Sequence, residues 1–355
     1  MEHCGRGGTV DVGIFGNTGS GKSTLFRSLS GASGGSAQGK SAAVCAIKVP
    51  DERVDRMAEI FRPKKVTYIS MAFHDIDAGE TDPLSPQALT ELRSVEVLAL
   101  VVRAFADDYH PAPPGGLAPA AEFRELSSAI VLSDYLVAQK RIERMTKEAK
   151  RDAEWTALHK AIAAFERDVP LRSVDLSAEE ERVLSGFRFV SRLPTLLILN
   201  VGEGEAASDT YPDMTKEAVK AKVPLVRLCA KVEEEIAQLS PAEQADFLKE
   251  MGISRSARDQ LVRGAFEATR YISFLTVGED EVRAWNVREG STAPTAAGKI
   301  HSDLEKGFIR AEVISSDDFL RCGSMAKAKT EGKLRLEGKE YVVRDGDIVH
   351  VRFNV

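Results

Sequence analysis

The chain carries the sequence Gly16-Asn17-Thr18-Gly19-Ser20-Gly21-Lys22-Ser23-Thr24 between an apolar run, residues 10–15, and a helix-like segment, residues 25–29. This spacing, Gly-x4-Gly-Lys-Ser, is typical of a glycine-rich turn whose backbone N–H groups point at a phosphate. The helix that follows would direct the positive end of its dipole at the same anion. A glycine-rich turn that matches by chance is the alternative, and the strand before the turn and the helix after it argue against it. The sequence therefore predicts a phosphate-binding loop for a nucleotide.

The residue types in this loop suggest separate chemical roles. Lys22 is expected to reach the β- and γ-phosphates, and the Ser23 hydroxyl is expected to ligate Mg²⁺. The other loop residues that we expect at the nucleotide are Gly16, Gly19, Ser20, Gly21 and Thr24. The predicted ligands are thus a nucleoside triphosphate and Mg²⁺.

Length and composition narrow the class of protein. A chain of 355 residues is expected to form two or three domains. No apolar run approaches the roughly 20 residues that cross a bilayer, and the first residues lack the pattern of a signal peptide. The four cysteines, Cys4, Cys45, Cys229 and Cys322, lie far apart, which fits a reducing compartment. We therefore expect a cytoplasmic protein that does not bind a membrane.

The formal net charge of −6 means that the overall charge of the protein does not attract nucleic acid. Any contact with RNA would have to come from local basic patches. Charge alone neither supports nor excludes such a contact.

Strand-like apolar runs alternate with helical segments along the first three quarters of the chain. The runs occupy residues 66–73, 95–102, 194–201 and 223–228. Such alternation is the pattern of a parallel sheet covered by helices on both faces. The sequence therefore predicts an α/β fold with a doubly wound, mostly parallel sheet.

A long segment without strand pattern, residues 121–189, interrupts this alternation after a loop rich in Pro and Gly. We interpret it as an inserted helical hairpin. Its first arm carries basic residues at steps of four, three and four, which would place them on one helix face. These residues are Lys140, Arg144, Lys147 and Arg151. An RNA-binding stripe and an ordinary solvated face both account for them.

From about Leu275 the chain changes to short strands punctuated by Gly, with a turn signal at Asp345-Gly346. We expect a separate mixed α/β module of about 80 residues, large enough to fold on its own core. His301 and Asp303 lie near each other in the sequence, but nothing there supplies a nucleophile or a third ligand. We therefore expect a binding module rather than a catalytic one.

Several segments of this module resemble the C-terminal TGS domain of the Obg-like ATPases, the YchF group. The segments are Glu281-Val282-Arg283-Ala284-Trp285, residues 296–313, and Phe353-Asn354-Val355. The order of the motifs before them also resembles this family: the phosphate-binding loop, residues 49–55, residues 101–105, the helical insert, and Asn200-Val201-Gly202-Glu203. The resemblance covers nearly the whole chain, so the chain is identified as a divergent member of the family.

The resemblance implies three domains. They are a nucleotide-binding domain at residues 1–120 and 190–274, the helical insert at residues 121–189, and a β-grasp-like TGS domain at residues 275–355. It also implies contact with a ribosome or RNA through the insert and the TGS domain. We further expect a monomer. A basic cluster lies within the TGS-like part, and a solvated hairpin remains its alternative: Lys327, Lys329, Lys333, Arg335 and Lys339.

The resemblance further implies ATP rather than GTP as the favoured nucleotide. GTPases generally read guanine with Asn-Lys-x-Asp, whereas Asn200-Val201-Gly202-Glu203 lacks the lysine and has a longer acid, as in the Obg-like family. Val201 matches the residue whose backbone contacts adenine, and Phe105 matches an aromatic residue near the base. Cys229-Ala230-Lys231 resembles the loop that closes over the edge of the base.

The switch regions depart from the family pattern. Where the family has Asp-x-x-Gly after a strand, this chain has Asp75-Ile76-Asp77-Ala78-Gly79-Glu80, so its glycine comes one residue late. Asp75 keeps the place of the family's Mg²⁺-associated aspartate. The family's Mg²⁺-ligating threonine aligns near Gly39, which leaves Ser36 and Ser41 as alternatives, and Gly19 replaces the family's loop asparagine.

Two hypotheses of different class remain open. The first is a slow ATPase whose nucleotide state changes its grip on a ribosome or RNA. The second is a nucleotide-binding scaffold that no longer hydrolyses or switches, as the altered switch regions would allow. A GTP-binding member of the family is a further alternative, and we assign no catalytic residue.

Overall fold

A computed structural model of the chain describes residues 8–30, 44–77, 79, 83–106, 111–205, 208, 210–240, 242–244, 247 and 256–354. The chain divides into two units. One unit contains residues 1–10, 46–72 and 269–355, and the other contains residues 11–45 and 73–268. The three-domain division expected from the sequence stays a prediction.

The strands of the described residues belong to two sheets. They are β1 (Thr9–Phe15), β2 (Val44–Lys48), β3 (Lys65–Thr67), β4 (Ser70–Asp75), β5 (Val97–Ala104), β6 (Thr195–Val201), β7 (Leu225–Leu228), β8 (Tyr271–Thr276), β9 (Glu281–Arg288), β10 (Phe308–Ser315), β11 (Arg335–Glu337) and β12 (Asp347–Phe353).

The α-helices of the described residues are mostly short, apart from one of 29 residues. They are α1 (Lys22–Ser30), α2 (Glu52–Phe61), α3 (Pro86–Leu92), α4 (Pro119–Lys147), α5 (Ala153–Phe165), α6 (Ala178–Leu184), α7 (Pro212–Ala221), α8 (Ala230–Ile236), α9 (Ala257–Ala268), α10 (Ala293–Ile300), α11 (Ser302–Lys306), α12 (Ser316–Cys322) and α13 (Met325–Thr330). No described helix combines the length and the hydropathy that a membrane-spanning helix requires.

The first sheet has the strand order β2-β4-β1-β5-β6-β7. The pairs β1–β5, β5–β6 and β6–β7 are parallel. Every residue of β6 is buried, as expected for a parallel strand covered on both faces. The predicted α/β fold with a mostly parallel sheet is thereby confirmed. Because β1 lies between β4 and β5, the strand order reverses at the carboxyl end of β1, which is where such sheets bind ligands.

The apolar run 66–73 is not one strand, as the sequence analysis had it, but two strands of different sheets. β3 pairs in parallel with β9, with Lys65 opposite Glu281 and Thr67 opposite Arg283. β4 belongs instead to the first sheet. Alternation of apolar residues shows that a segment is extended, but it does not show which strand the segment pairs with. The change of sheet between Thr67 and Ser70 therefore cannot be predicted from the sequence of residues 66–73.

The second sheet has the order β11-β10-β12-β8-β9-β3 and is mixed. β8 and β9 are antiparallel, β10 and β12 are antiparallel, and β12 runs parallel to β8. Its core contains Phe274, Trp285 and Val313, with Ala296 and Ala297 of α10 packed against them. The mixed strands and helices that the sequence predicts after about residue 275 are present, and β3 from residues 65–67 joins their sheet.

Helix α2 is held to this second sheet by a half-buried arginine, Arg53. Two guanidinium nitrogens of Arg53 donate to the Asp51 carboxylate at 2.9 and 2.8 Å, and a third nitrogen donates to Asp345 Oδ2 at 2.7 Å. The other oxygen of Asp345 accepts the backbone N–H of Ser273 in β8 at 2.8 Å. The hydrogen bonds to Asp51 make the larger contribution to raising the pKa of Arg53, and the hydrogen bond to Asp345 raises it further. The segment that contains α2 is thus an integral part of the unit that contains the C-terminal sheet.

The insert begins with α4 and α5, whose apolar faces share a core that includes Val131, Ala138, Leu158 and Phe165. Lys140, Arg144 and Lys147 lie on α4, but Arg151 does not, which corrects the predicted four-residue stripe. The helix ends at Lys147 because Glu148 caps it and Ala149 takes the left-handed conformation, with φ 51°. The guanidinium of Arg151 lies over the ring of Trp155, 5.7 Å from its centroid.

A buried carboxylate fixes the end of the insert to its first helix. Asp134 of α4 accepts the backbone N–H groups of Val190 and Ser191 at 3.2 and 2.7 Å. All three residues are fully buried. Burial raises the pKa of Asp134, while the hydrogen bonds from Ser191 and Val190 act in the opposite direction. Asp134 therefore closes the insert where the chain returns to β6.

We expect Asp134→Ala to lower the free energy of unfolding by about 2–4 kcal/mol, because two buried N–H groups would lose their acceptor. Urea denaturation followed by circular dichroism measures this change. Glu143→Ala is the matched control, since Glu143 is an exposed acid on the same helix. It should change the stability by less than about 0.5 kcal/mol. An equal effect of the two substitutions would contradict the role of Asp134.

Candidate functional site

The predicted phosphate-binding loop joins β1 to α1 at the carboxyl edge of the first sheet. A side chain at Gly16 would collide with the carbonyl oxygen of Val101 in β5. Gly21 has φ +87°, and a side chain there would collide with the amide nitrogen of Asn200. The Leu25 N–H donates to the Gly21 carbonyl at 2.9 Å and starts the helix. The close approach of β5 and of Asn200 therefore requires glycine at both positions.

Ser23 and Asp75, the predicted metal ligands, lie together beside the loop. Asp75 is the last residue of β4. Burial raises the pKa of Asp75, against the opposing effects of the Ser23 hydroxyl and of the positive charge of Lys22. Within the described part of the chain, Asp75 Oδ1 is buried and has no hydrogen-bond partner. A buried oxygen acceptor next to a hydroxyl and a lysine has the chemistry that suits Mg²⁺ beside a phosphate.

Asn200 connects three segments of the site. It lies near the end of β6, and only 3% of the residue is exposed. Its amide nitrogen donates to the Ser20 carbonyl at 2.9 Å, and its amide oxygen accepts the Ala230 N–H at 2.9 Å. Val201 follows it, with its side chain buried in the core, so this residue presents its backbone at the strand end. The loop, the end of β6 and the start of α8 are thereby fixed to one another.

Glu203 and Lys231, predicted at the base, form an ion pair of 2.7 Å between Lys231 Nζ and Glu203 Oε1. The side chains are 61% and 68% exposed, respectively. The hydrogen bond to Glu203 raises the pKa of Lys231. Cys229, just before α8, is buried, and burial raises the pKa of its thiol. The cysteine is therefore a packing residue, whereas the ion pair faces solvent.

Phe105 lies close to the loop as well. A Cβ atom at Gly21 would be 3.7 Å from Phe105 Cε1. Arg103 also contacts Phe105: its guanidinium carbon is 5.3 Å from the ring centroid, and its Nε donates to the Phe105 carbonyl at 3.0 Å. Thr24 accepts a hydrogen bond from Arg27 at 3.1 Å.

Sequence reasoning missed two residues that belong to this site. Asn17 of the loop donates from Nδ2 to Glu122 Oε1 at 3.0 Å. The other oxygen of Glu122 accepts the backbone N–H of Arg103 at 3.0 Å. Burial raises the pKa of Glu122, while the hydrogen bond from Arg103 acts against that rise. Glu122 lies in the first turn of α4, and nothing in its local sequence marks it as a neighbour of the loop.

The structure describes only some of the residues of the two switch segments. Ser36, Gly39 and Ser41 lie outside the described residues, as does Glu80. Asp77 and Gly79 lie within them.

Comparison with known proteins identifies close similarity over nearly the whole chain. The profile of the YchF-GTPase_C family, described as "Protein of unknown function (DUF933)", matches residues 271–354. "Ribosome-binding ATPase YchF" of Bacillus subtilis (strain 168) is 38% identical over 364 residues, which cover 98% of this chain and 100% of the relative. The protein of the same name from Escherichia coli O157:H7 is 36% identical over 361 residues and covers 97% of this chain and 99% of the relative.

A solved structure has the same fold. The Schizosaccharomyces pombe YchF GTPase has a TM-score of 0.83 and 26% sequence identity, with 98% of this chain and 99% of that chain covered. The similarity thus extends through both sheets and the insert. With relatives of more than a third identity along almost its full length, this chain belongs to the YchF family.

Proposed function

We propose that this protein binds ATP with Mg²⁺, hydrolyses it slowly, and associates with the ribosome in a manner that depends on the bound nucleotide. One observation carries the proposal: Asn200 joins the phosphate-binding loop, at 2.9 Å from the Ser20 carbonyl, to the segment that starts α8, at 2.9 Å from the Ala230 N–H. The residues expected at the phosphates and those expected at the base therefore share one short, buried connection. The relatives from B. subtilis and E. coli carry the name ribosome-binding ATPase, which agrees with this proposal.

The phosphate half of the site supports triphosphate binding. The loop amides, the N-terminus of α1 and the buried Lys22 all present positive charge at the carboxyl edge of the sheet. Ser23 and Asp75 would hold Mg²⁺, and the free Oδ1 of Asp75 supports this assignment. When bound, Mg²⁺ would neutralise charge on the β- and γ-phosphates.

The base half supports adenine over guanine. In Asn-Lys-x-Asp sites a free carboxylate accepts hydrogen bonds from the N–H groups of guanine. Here the acid is Glu203, and its carboxylate is already paired with Lys231 at 2.7 Å. Guanine would have to compete with Lys231 for this carboxylate, which reduces the advantage of GTP.

Slow turnover is the expected consequence of the altered second switch. Phosphoryl transfer depends on groups that position water and contact the γ-phosphate. The glycine that would make such a contact, Gly79, comes one residue later after Asp75 than in the family pattern. The same shift favours the second candidate function, a nucleotide-binding scaffold without hydrolysis.

Association with the ribosome is proposed to involve exposed basic residues of the insert and, to a lesser degree, of the C-terminal module. Lys140, Arg144 and Lys147 are exposed on α4. In the C-terminal module, by contrast, Lys333 lies 3.6 Å from Asp318 and Lys327 lies 3.8 Å from Glu331. These acids reduce the charge that the C-terminal cluster could offer to phosphates. A protein that works on ribosomes would act in the cytoplasm, and we propose that it does so as a monomer.

The central test is calorimetric titration with non-hydrolysable ATP and GTP analogues in Mg²⁺, followed by single-turnover hydrolysis of the nucleotide that binds. Tighter ATP binding with measurable turnover supports the proposed ATPase. Binding without turnover would shift the assignment to the scaffold, and binding of neither analogue would contradict both.

We expect Lys22→Ala to weaken ATP binding to below detection by calorimetry, because the main side-chain charge at the β- and γ-phosphates is removed. Lys220→Ala is the matched control, since Lys220 is an exposed lysine near the end of α7. It should bind ATP like the unchanged protein. Retained affinity in Lys22→Ala would argue against the loop as the principal nucleotide site.

We expect Glu203→Asp to raise the affinity for GTP relative to ATP by at least about threefold. The shorter side chain would lose its contact with Lys231 and leave a free carboxylate for the guanine N–H groups. Competition between the two nucleotides for the variant and for the unchanged protein measures the ratio. A ratio that stays the same would remove Glu203 from nucleotide selection.

A further inference from the structure

An open groove of about 500 Å³ lies on the insert, between α4 and the end of α5. We call it the α4–α5 groove. Its lining includes Ser128, Leu132 and Tyr135 of α4 together with Phe165, Glu166 and Asp168. The size falls in the range of about 300–1,000 Å³ that is usual for ligand-binding clefts. The nucleotide site does not use any of these residues.

The groove continues into an exposed apolar strip along α4. Leu132 and Leu136 are both 57% exposed. They are four residues apart and therefore lie on the same face of the helix, one turn from each other. Other residues of α4, such as Ala138 and Met145, are buried in the core of the insert. Large aliphatic side chains in neighbouring turns on a solvent face are typical of a binding surface.

Acidic side chains border this strip. Glu166 and Asp168 line the groove, and Glu125 is exposed on the same face of α4, about two turns before Leu132. The Asp168 carboxylate is held in place, since its Oδ2 accepts the Ser128 hydroxyl at 2.5 Å.

The cations nearest in sequence are Arg124, Arg167, Arg172 and Lys140, and the lining of the groove includes none of these four. Arg124 is paired with Glu217 at 2.8 Å, and Arg167 Nε donates to the Ala163 carbonyl at 2.9 Å. Lys140 lies one turn beyond Leu136. The groove itself is therefore acidic and apolar, and its carboxylates would repel the phosphates of RNA.

We propose that the α4–α5 groove docks a basic amphipathic helix of a protein partner. Leucine-sized side chains of that helix would fill the groove and pack on Leu132 and Leu136, and its lysines or arginines would face Glu125, Glu166 and Asp168. This is the mode in which an amphipathic helix binds a hydrophobic groove through residues at i, i+3 or i+4, and i+7. From Ser128 to Leu136 the strip is roughly 12 Å long, enough for two turns of a partner helix.

The identity of the partner rests on the proposed function: we take it to be a protein component of the ribosome. The insert would then offer two different surfaces. The basic residues Arg144 and Lys147 near the end of α4 would contact RNA, whereas the acidic α4–α5 groove would bind protein. Such separation allows the two contacts to respond differently to salt.

The first experiment is cosedimentation of the full-length protein with purified ribosomes in the presence of a non-hydrolysable ATP analogue. Leu132→Asp combined with Leu136→Asp should weaken cosedimentation by at least about tenfold, as expected when central apolar anchors are lost. Val219→Asp is the matched control, because Val219 is a 73% exposed aliphatic residue on α7, and it should bind like the unchanged protein. ATP-analogue binding and thermal unfolding of the double variant should stay unchanged, which separates lost docking from lost folding.

The second experiment identifies what occupies the groove. A photo-cross-linking phenylalanine analogue is placed at position 132 or, as control, at position 219, and cross-links to ribosomes are analysed by mass spectrometry and by ribonuclease digestion. Position 132 should cross-link to a lysine- or arginine-rich helical segment of a ribosomal protein, and position 219 should not. Cross-links to RNA or to a second copy of this chain would overturn the proposal.

The outcomes separate the groove from the proposed function. If the unchanged protein does not sediment with ribosomes in any nucleotide state, the proposed ribosome association fails, and this partner fails with it. If the unchanged protein sediments but the double variant does so equally well, only the docking role of the groove is overturned.

Discussion

The buried amide of Asn200 is the connection on which the nucleotide site depends. Both of its polar groups are used, one by the Ser20 carbonyl and the other by the Ala230 N–H. A buried donor or acceptor without a partner is destabilising by about 1–3 kcal/mol, so the loop, β6 and α8 hold their relative positions only together. The close approach of Asn200 also explains why residue 21 has no side chain. The conformation of the phosphate-binding loop therefore depends on Asn200, a residue that lies in β6 and not in the loop.

The helical insert begins at the same site. Glu122 of α4 accepts hydrogen bonds from Asn17 of the loop and from the backbone of Arg103, whose side chain supports Phe105. A change in the loop on nucleotide binding would therefore act directly on the first turn of a helix of 29 residues. This arrangement provides a physical route from the nucleotide to the surfaces of the insert.

The other unit has its own long-range connections. Arg53 joins Asp51 at the start of α2 to Asp345 in the turn before β12, and β3 extends the C-terminal sheet by pairing with β9. Residues 46–72 therefore belong to the C-terminal unit, although in sequence they lie between the two switch segments. The strand β4 begins within this segment at Ser70 and ends at Asp75.

Local patterns were sufficient to predict the glycine-rich turn between a strand and a helix, the parallel sheet, the helices of residues 121–189 and the mixed strands and helices after about residue 275, because spacing and periodicity act over a few residues. They could not predict that residues 66–73 divide between two sheets, that Glu122 reaches Asn17, or that Arg53 meets Asp345. Nor could they reveal the α4–α5 groove. These features bring together residues that are from tens to hundreds of positions apart, and such contacts depend on how the finished elements pack, which no local window of the sequence contains.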